Sequence, residues 1–327
     1  MGEPETSKVL YWLRPEDVKS EVYVHSRSFF SRYEEILALT DNQIEDLIYK
    51  EHIYISKEEL REIIQATLNV FNFQPEGVGL ELGAGCAAIS VELARDSKEI
   101  KRVFAVEIVP EIVEVAQTSL IRIAGVQDRV IPVLGDFDNL KVDDESIDWI
   151  IEFDSLHHSF DLEKTAKESY RVLKKGGKLI AIDRAHWNTS RARMRSLENE
   201  PYSEAFLHAR GWDVTRKITR ADNGEHEHLV SDYRRYFLKA GFKSFDWKNL
   251  IAPELSILKL SMVSAIPWRL RATSKYRYIQ MWPIWKVFVP VVLFRFGVRE
   301  KYRNFVKLPR AKNSKRFQSK TIFCITK

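Results

Sequence analysis

Cysteine is nearly absent: Cys86 and Cys324 are the whole complement in 327 residues. Two thiols so far apart build no disulfide framework and offer no metal-ligand spacing, which makes a reducing compartment the natural setting. The N-terminus, MGEPETSKVL, lacks the apolar stretch of a secretory signal, so none is expected and the protein is read as cytoplasmic. Met1-Gly2 with Thr6 matches a myristoylation pattern only formally, because so short a pattern often matches by chance. The uncharged apolar stretches fall well short of the ~20 residues of a membrane-spanning helix. Internal repeats and low-complexity tracts do not stand out either.

What is present is enough for a full core: 45% of residues are hydrophobic, 12% aromatic and 30% charged. The net charge of +5 conceals a split. Seventeen of the 51 Lys and Arg residues lie from Lys259 onward, against one of the 46 acids, Glu300. The rest of the chain is acidic. A basic segment on an acidic body points to an anionic partner, either a membrane surface or a nucleic acid.

Along the chain, residues 1–55 read as short helical pieces carrying Tyr23, Phe29, Phe30 and Tyr33, an N-terminal helical cap. Ser56 and Glu59 form a capping box, and Leu60, Ile63, Ile64, Leu68 and Phe71 come after it at helical spacing. β-Branched runs then alternate with helical patterns. Strands are expected at 78–83, 102–108, 130–136, 147–154 and 178–183, with helices at 87–95, 110–124 and 162–173. Such alternation predicts a doubly wound, mostly parallel α/β sheet, whose ligands bind at the carboxyl ends of the strands. The core is expected over 56–250, with a substrate-side insertion at 185–230. A helix at 231–240 and a strand at 243–248 come next, then a basic aromatic insertion at 251–319, and residues 320–327 return as the last strand.

The strand ends carry the chemistry. Leu80-Glu81-Leu82-Gly83-Ala84-Gly85-Cys86-Ala87 is a strand, a glycine turn and a helix start, where backbone can approach a ligand closely. By itself such a turn also suits a dinucleotide. The next strand ends in Glu107, an acid able to take two ribose hydroxyls. The third ends in Leu134-Gly135-Asp136-Phe137, an acid for an exocyclic amine beside an aromatic face. The fourth runs through Phe153-Asp154-Ser155-Leu156-His157-His158, and Gly176-Gly177 precede the fifth.

This ordered series resembles the class I S-adenosylmethionine-dependent methyltransferase superfamily, especially the branch related to quinone-biosynthesis methyltransferases. The likeness spans residues 56–184 and implies a seven-stranded Rossmann-like sheet whose last strand runs antiparallel inside a reversed hairpin. It also implies S-adenosyl-L-methionine as cofactor, with Glu81, Gly83, Gly85, Glu107, Asp136, Phe137 and Phe153 at its site. Ala87 departs from the third glycine of the usual pattern. Methyl transfer is an in-line displacement that positioning can drive. A general base, where the acceptor is a hydroxyl, would come from His158, His157 or Asp154, with Asp183 and His186 behind them. No metal is expected: the alternating histidines of Gly224–His228 read as polar contacts at a helix entry.

The acceptor is expected to be a lipid or lipid-linked sugar, such as a glycolipid precursor. Residues 265–316 would meet an anionic membrane from its inner face, because Trp282-Pro283-Ile284-Trp285 through Phe296 joins apolar depth to flanking Arg and Lys. Two other acceptors stay open. RNA would use the same charge and the rings of Trp268, Tyr276, Tyr278 and Trp282. Against it, the aliphatics from Val287 to Leu293 serve no nucleic-acid contact, and an Asn/Asp-Pro-Pro-aromatic tetrad is missing after the fourth strand. A small molecule would use the insertion as a lid.

Overall fold

The computed structural model describes residues 8–18, 36, 38–53, 55–186, 189–209, 213–215, 217–251, 305–307 and 320–327. The expectations for Tyr23 to Tyr33 and for most of 265–316 lie outside them. The chain divides into two compact units, Met1–Asp246 with Ile322–Lys327, and Trp247–Thr321.

The first unit begins with a short strand, β1 (Leu10–Tyr11). Helix α1 (Asp41–Leu47) opens on a Thr40–Gln43 capping box and continues as a π-helical stretch, Ile48–Ile53. Helix α2 (Lys57–Val70) starts on the expected Ser56–Glu59 box and buries Leu60, Ile63, Ile64 and Leu68. Strands and helices then alternate: β2 (Gly77–Leu82), α3 (Ala88–Asp96), β3 (Ile100–Glu107), a π-helical Ile112–Gln117 running into α4 (Thr118–Ala124), β4 (Val130–Leu134), β5 (Ile147–Phe153), α5 (Leu162–Val172) and β6 (Leu173–Arg184). Two short helices, α6 (Arg191–Glu198) and α7 (Glu204–Ala209), precede α8 (Val230–Ala240) and β7 (Ser244–Ile251). The chain closes on β9 (Lys320–Thr326).

The sheet order is β1-β4-β3-β2-β5-β6-β9-β7. From β2 the chain steps outward to β3 and β4, then returns to the other side for β5 and β6. Because parallel crossovers are right-handed, that reversal puts helices on both faces and leaves a crevice between β2 and β5. Gly79 permits the close pairing of these two strands: a Cβ there would stand 2.1 Å from the buried Trp149 ring. The last hairpin is reversed as the resemblance implied. Lys327 at the end of β9 exchanges backbone bonds with Gly176 and Gly177 at the start of β6, and Lys243 donates to Thr326 at 2.8 Å. Thus β9 runs antiparallel to both its neighbours.

One expectation for the N-terminal cap needs correction. Leu10–Tyr11 is not helical: as β1 it makes an eighth strand of this unit, parallel to β4 through Leu10–Val133 and Tyr11–Leu134. Trp12 and Leu13 both donate to the Leu134 carbonyl. Unpaired backbone at the edge of β4 outcompetes a short local helix, since a single turn of helix nucleates poorly. In the second unit, the outer half of β7 pairs in parallel with β8 (Phe305–Lys307) at Asn249–Phe305 to Ile251–Lys307.

Candidate active site

Strand register brings the predicted acids to one edge. Leu82 stands beside Val106 and Glu152, Glu107 beside Leu134, and Phe153 beside Ile182. The turn after β2 is the centre of this edge. Gly83 has φ +60°, and a Cβ there would meet the Ser155 side chain at 2.4 Å. Ser155 Oγ donates to the Leu82 carbonyl at 2.7 Å, tying the ends of β2 and β5 together. Gly85 and Ala87 are also left-handed, at φ 49° and 61°, so Ala87 adopts the conformation that the usual glycine would favour.

Glu81 is 2% exposed and accepts from both the amide (3.0 Å) and the hydroxyl of Ser90, pinning the first turn of α3 to β2. Burial raises its carboxyl to about 7, against the pull of those two donors. A carboxyl raised on folding stabilises the protein most below the unfolded value and loses that contribution as pH climbs toward 7. Glu81→Gln is therefore expected to gain about 3 kcal/mol relative to the parent between pH 5 and pH 8. Urea unfolding at both pH values measures it; parallel pH dependences would contradict the assignment.

Glu107 holds the turn from the other side. One oxygen accepts from Gly85 N at 3.0 Å, and the other from Ile108 N and Val109 N at 2.8 and 3.0 Å. Burial nonetheless raises its carboxyl, with these three amides opposing. A ligand diol donating here would supply what the charged form lacks, so the site fits a ribose. Asp136 accepts from Asp138 N at 2.8 Å, and Phe137 is half-buried beside Gly83. Phe153 is half-buried at the end of β5. All seven sequence-predicted cofactor residues thus lie at the carboxyl ends of β2 to β5 or in the turns just beyond them.

The substrate-side residues form a second, denser group. Asp154 is left-handed at φ 57°, a conformation uncommon outside glycine but more open to aspartate than to most side chains, and is held by its amide on the Ile182 carbonyl at 2.8 Å. His157 is 1% exposed and pairs its Nδ1 with Asp183 Oδ1 at 2.6 Å, while Arg184 donates to its Nε2. That donor fixes the tautomer, so the Nδ1 proton faces Asp183. Tyr233 donates to the second Asp183 oxygen at 2.9 Å. His158 lies against His157 with the rings tilted and 4.4 Å between centroids; burial above all lowers it to about 3, leaving a neutral imidazole at physiological pH.

Arg184 is the residue that sequence reasoning overlooked. It donates to Glu225 at 2.7 Å as well as to His157, and lies 3.5 Å from Asp154. Glu225 also accepts from Tyr202, Asn223 and Arg220. Burial would raise the Glu225 carboxyl, but the neighbouring Arg184 guanidinium prevails and holds it well below the usual range. The ligand atoms of His157, His158 and Glu225 lie within 4.8 Å of one another, and the Arg184 guanidinium already bridges two of the three. Around the histidines of 224–228 the main chain is tied in place: His226 N donates to the His157 carbonyl, and His186 N to that of His228. His186 in turn pairs with Glu227 at 2.5 Å. A signal for Arg184 existed in the sequence, an Asp-Arg pair at a strand end facing Glu225 and Glu227 across an insertion. Nothing local said which acid it would take.

Residues 80–181 match a family model described as a methyltransferase domain. The chain is 24% identical over 134 residues to the mitochondrial 2-methoxy-6-polyprenyl-1,4-benzoquinol methylase of Oryza sativa subsp. japonica. That stretch is 38% of this chain and 43% of the relative, so less than half of the relative's length is matched. Among solved structures, phosphoethanolamine N-methyltransferase 2 of Haemonchus contortus in complex with S-adenosyl-L-methionine is 16% identical, with 96% of this chain and 61% of that one covered and a TM-score of 0.47. The YcgJ protein of Bacillus subtilis is 17% identical, with 80% and 97% covered and a TM-score of 0.46. The [4+2]-cyclase SpnF is 16% identical, with 81% and 80% covered and a TM-score of 0.47. Residues 80–181 thus carry the signature of a methyltransferase domain. The chain is similar in sequence to a quinone-biosynthesis methyltransferase.

Proposed function

We propose that this protein transfers the methyl group of S-adenosylmethionine to a lipid or lipid-linked acceptor, such as the sugar of a glycolipid precursor, at an anionic membrane surface. The observation that carries the reading is the composition from Lys259 onward: seventeen basic residues against one acid, joined to the tryptophan- and phenylalanine-rich run 282–296. Such a segment gains both from apolar insertion and from headgroup charge. Among the described residues no helix is long and apolar enough to cross a membrane; the contact proposed is peripheral because Lys286, Pro290 and Arg295 interrupt the apolar run 282–296.

Bound S-adenosylmethionine supplies an electrophilic methyl on a sulfonium. Glu107 would accept from its ribose hydroxyls and Asp136 from its adenine amine, with Phe137 and Phe153 as apolar walls. Glu81 serves by keeping α3 and the glycine turn in place. On the acceptor side, Asp154 is the group suited to take a hydroxyl proton: its carboxylate is partly exposed, and the left-handed turn sets its place beside Arg184. His158, neutral and weakly basic, would hydrogen-bond the acceptor rather than keep its proton. His157, with both ring nitrogens engaged, would orient Asp183 and Arg184.

Flotation with vesicles of phosphatidylcholine alone, or mixed with phosphatidylglycerol, tests the membrane half. Binding to the anionic vesicles only, weakening as salt rises, is the expected result. Failure to bind them at low salt would sink the membrane reading and favour a small-molecule acceptor, while leaving the cofactor assignment intact.

A further inference from the structure

Gln117 is fully buried in an apolar neighbourhood, at the end of the π-helical stretch Ile112–Gln117. A buried amide is costly unless both its ends are satisfied. Here only the donor end is: Nε2 donates to the Gly85 carbonyl at 2.8 Å, and Oε1 has no partner among the described residues. A methionine or leucine would fill this place without the penalty, so the amide's contribution lies in the one bond it makes.

That bond completes a clamp. The carbonyl of Gly85 is held by Gln117 and its amide by Glu107 Oε2, so both polar groups of one left-handed residue are fixed from opposite sides. The π-helical stretch accounts for the reach. One extra residue in a helical turn rotates the side chains beyond it about the helix axis, and such turns recur at functional sites. Here it delivers a polar residue from the helix after β3 to the back of the loop after β2.

We propose that Gln117 is a positioning residue for the cofactor site: it locks the Gly85 peptide so that its amide stays on Glu107 and the glycine turn keeps the shape that receives S-adenosylmethionine. This deepens the cofactor reading and rests on it. Without the clamp the Gly85 amide swings more freely, and Glu107 loses one of the three donors that favour its charged form. The other titratable groups coupled to this position are Glu81, across the turn, and the Cys86 thiol, which burial raises well above its usual range.

Two measurements on Gln117→Met test this. Amide hydrogen exchange should be about tenfold faster at Gly85, with the amides of α4 unchanged. Calorimetric titration with S-adenosylmethionine from pH 5.5 to 8.5 should show weaker binding, with the acid-side midpoint of affinity moved upward by about half a pH unit. Unchanged Gly85 exchange with affinity within twofold of the parent would overturn the proposal. So would a loss of affinity equal at every pH and accompanied by faster exchange throughout α4, because that is general loosening. Should the methionine variant not fold, Gln117→Leu carries the same test. Absence of binding by the parent protein would instead remove the cofactor reading, while the exchange measurement would still decide whether Gln117 holds Gly85.

Discussion

Replacing Glu107 by alanine is expected to weaken S-adenosylmethionine binding at least ~100-fold, from the micromolar range to below detection by calorimetry. The carboxylate is assigned two ribose hydroxyls, and a hydrogen bond to a charged group contributes roughly 1.5–3 kcal/mol, so two account for roughly two to four decades. The substitution also leaves Gly85 N, Ile108 N and Val109 N without the acceptor that organises both turns. Glu107→Gln keeps an acceptor but loses the charge, and should lie about tenfold below the parent. Equal affinities in parent and alanine variant would place the ribose elsewhere. No binding by the parent would mean that this domain serves another purpose.

The second large effect concerns stability. Arg184→Met removes the cation that joins Glu225, His157 and Asp154, leaving Glu225, of low exposure, with only the partly exposed Arg220 as counter-charge. Breaking a buried pair from one side costs about 3–5 kcal/mol. For a unit of this size that is a fall in melting temperature on the order of 10 °C. Adding Glu225→Gln should restore part of the loss, because the uncompensated charge goes with it. A double variant no more stable than Arg184→Met would show that Glu225 does not depend on this arginine. The network also has a pH signature: the depressed Glu225 carboxyl contributes stability above its unfolded range and loses it as pH falls through the folded value.

The rhythm of strands and helices was legible because most core strands carry short apolar, often β-branched runs that end in turns, and the longer helices an apolar stripe at 3.6-residue spacing. Ser56 and Glu59 announced α2 by a purely local contact. Glu81, Glu107 and Asp136 could be found because a parallel sheet places strand ends together, so that position along the chain predicts position in the site. Strand β1 could not. Two residues have no periodicity, and Leu10–Tyr11 are extended only because β4 offers them a partner. Gln117 left a faint mark, a polar residue on the buried side of a helix. Its target became visible only when the π-helical turn rotated it toward Gly85.

The α/β order, the glycine turn, the acids at the strand ends and the charge asymmetry of the chain were thus all readable from the order of residues, since each rests on neighbours close in sequence or on a topology that such neighbours imply. Which acid Arg184 takes, that His157 faces Asp183 and Arg184, and that Glu107 and Gln117 share one glycine emerge only once the chain is folded. Those choices depend on groups 22 to 41 positions apart, brought within 3 Å by the register of the sheet and the return of the 185–229 segment.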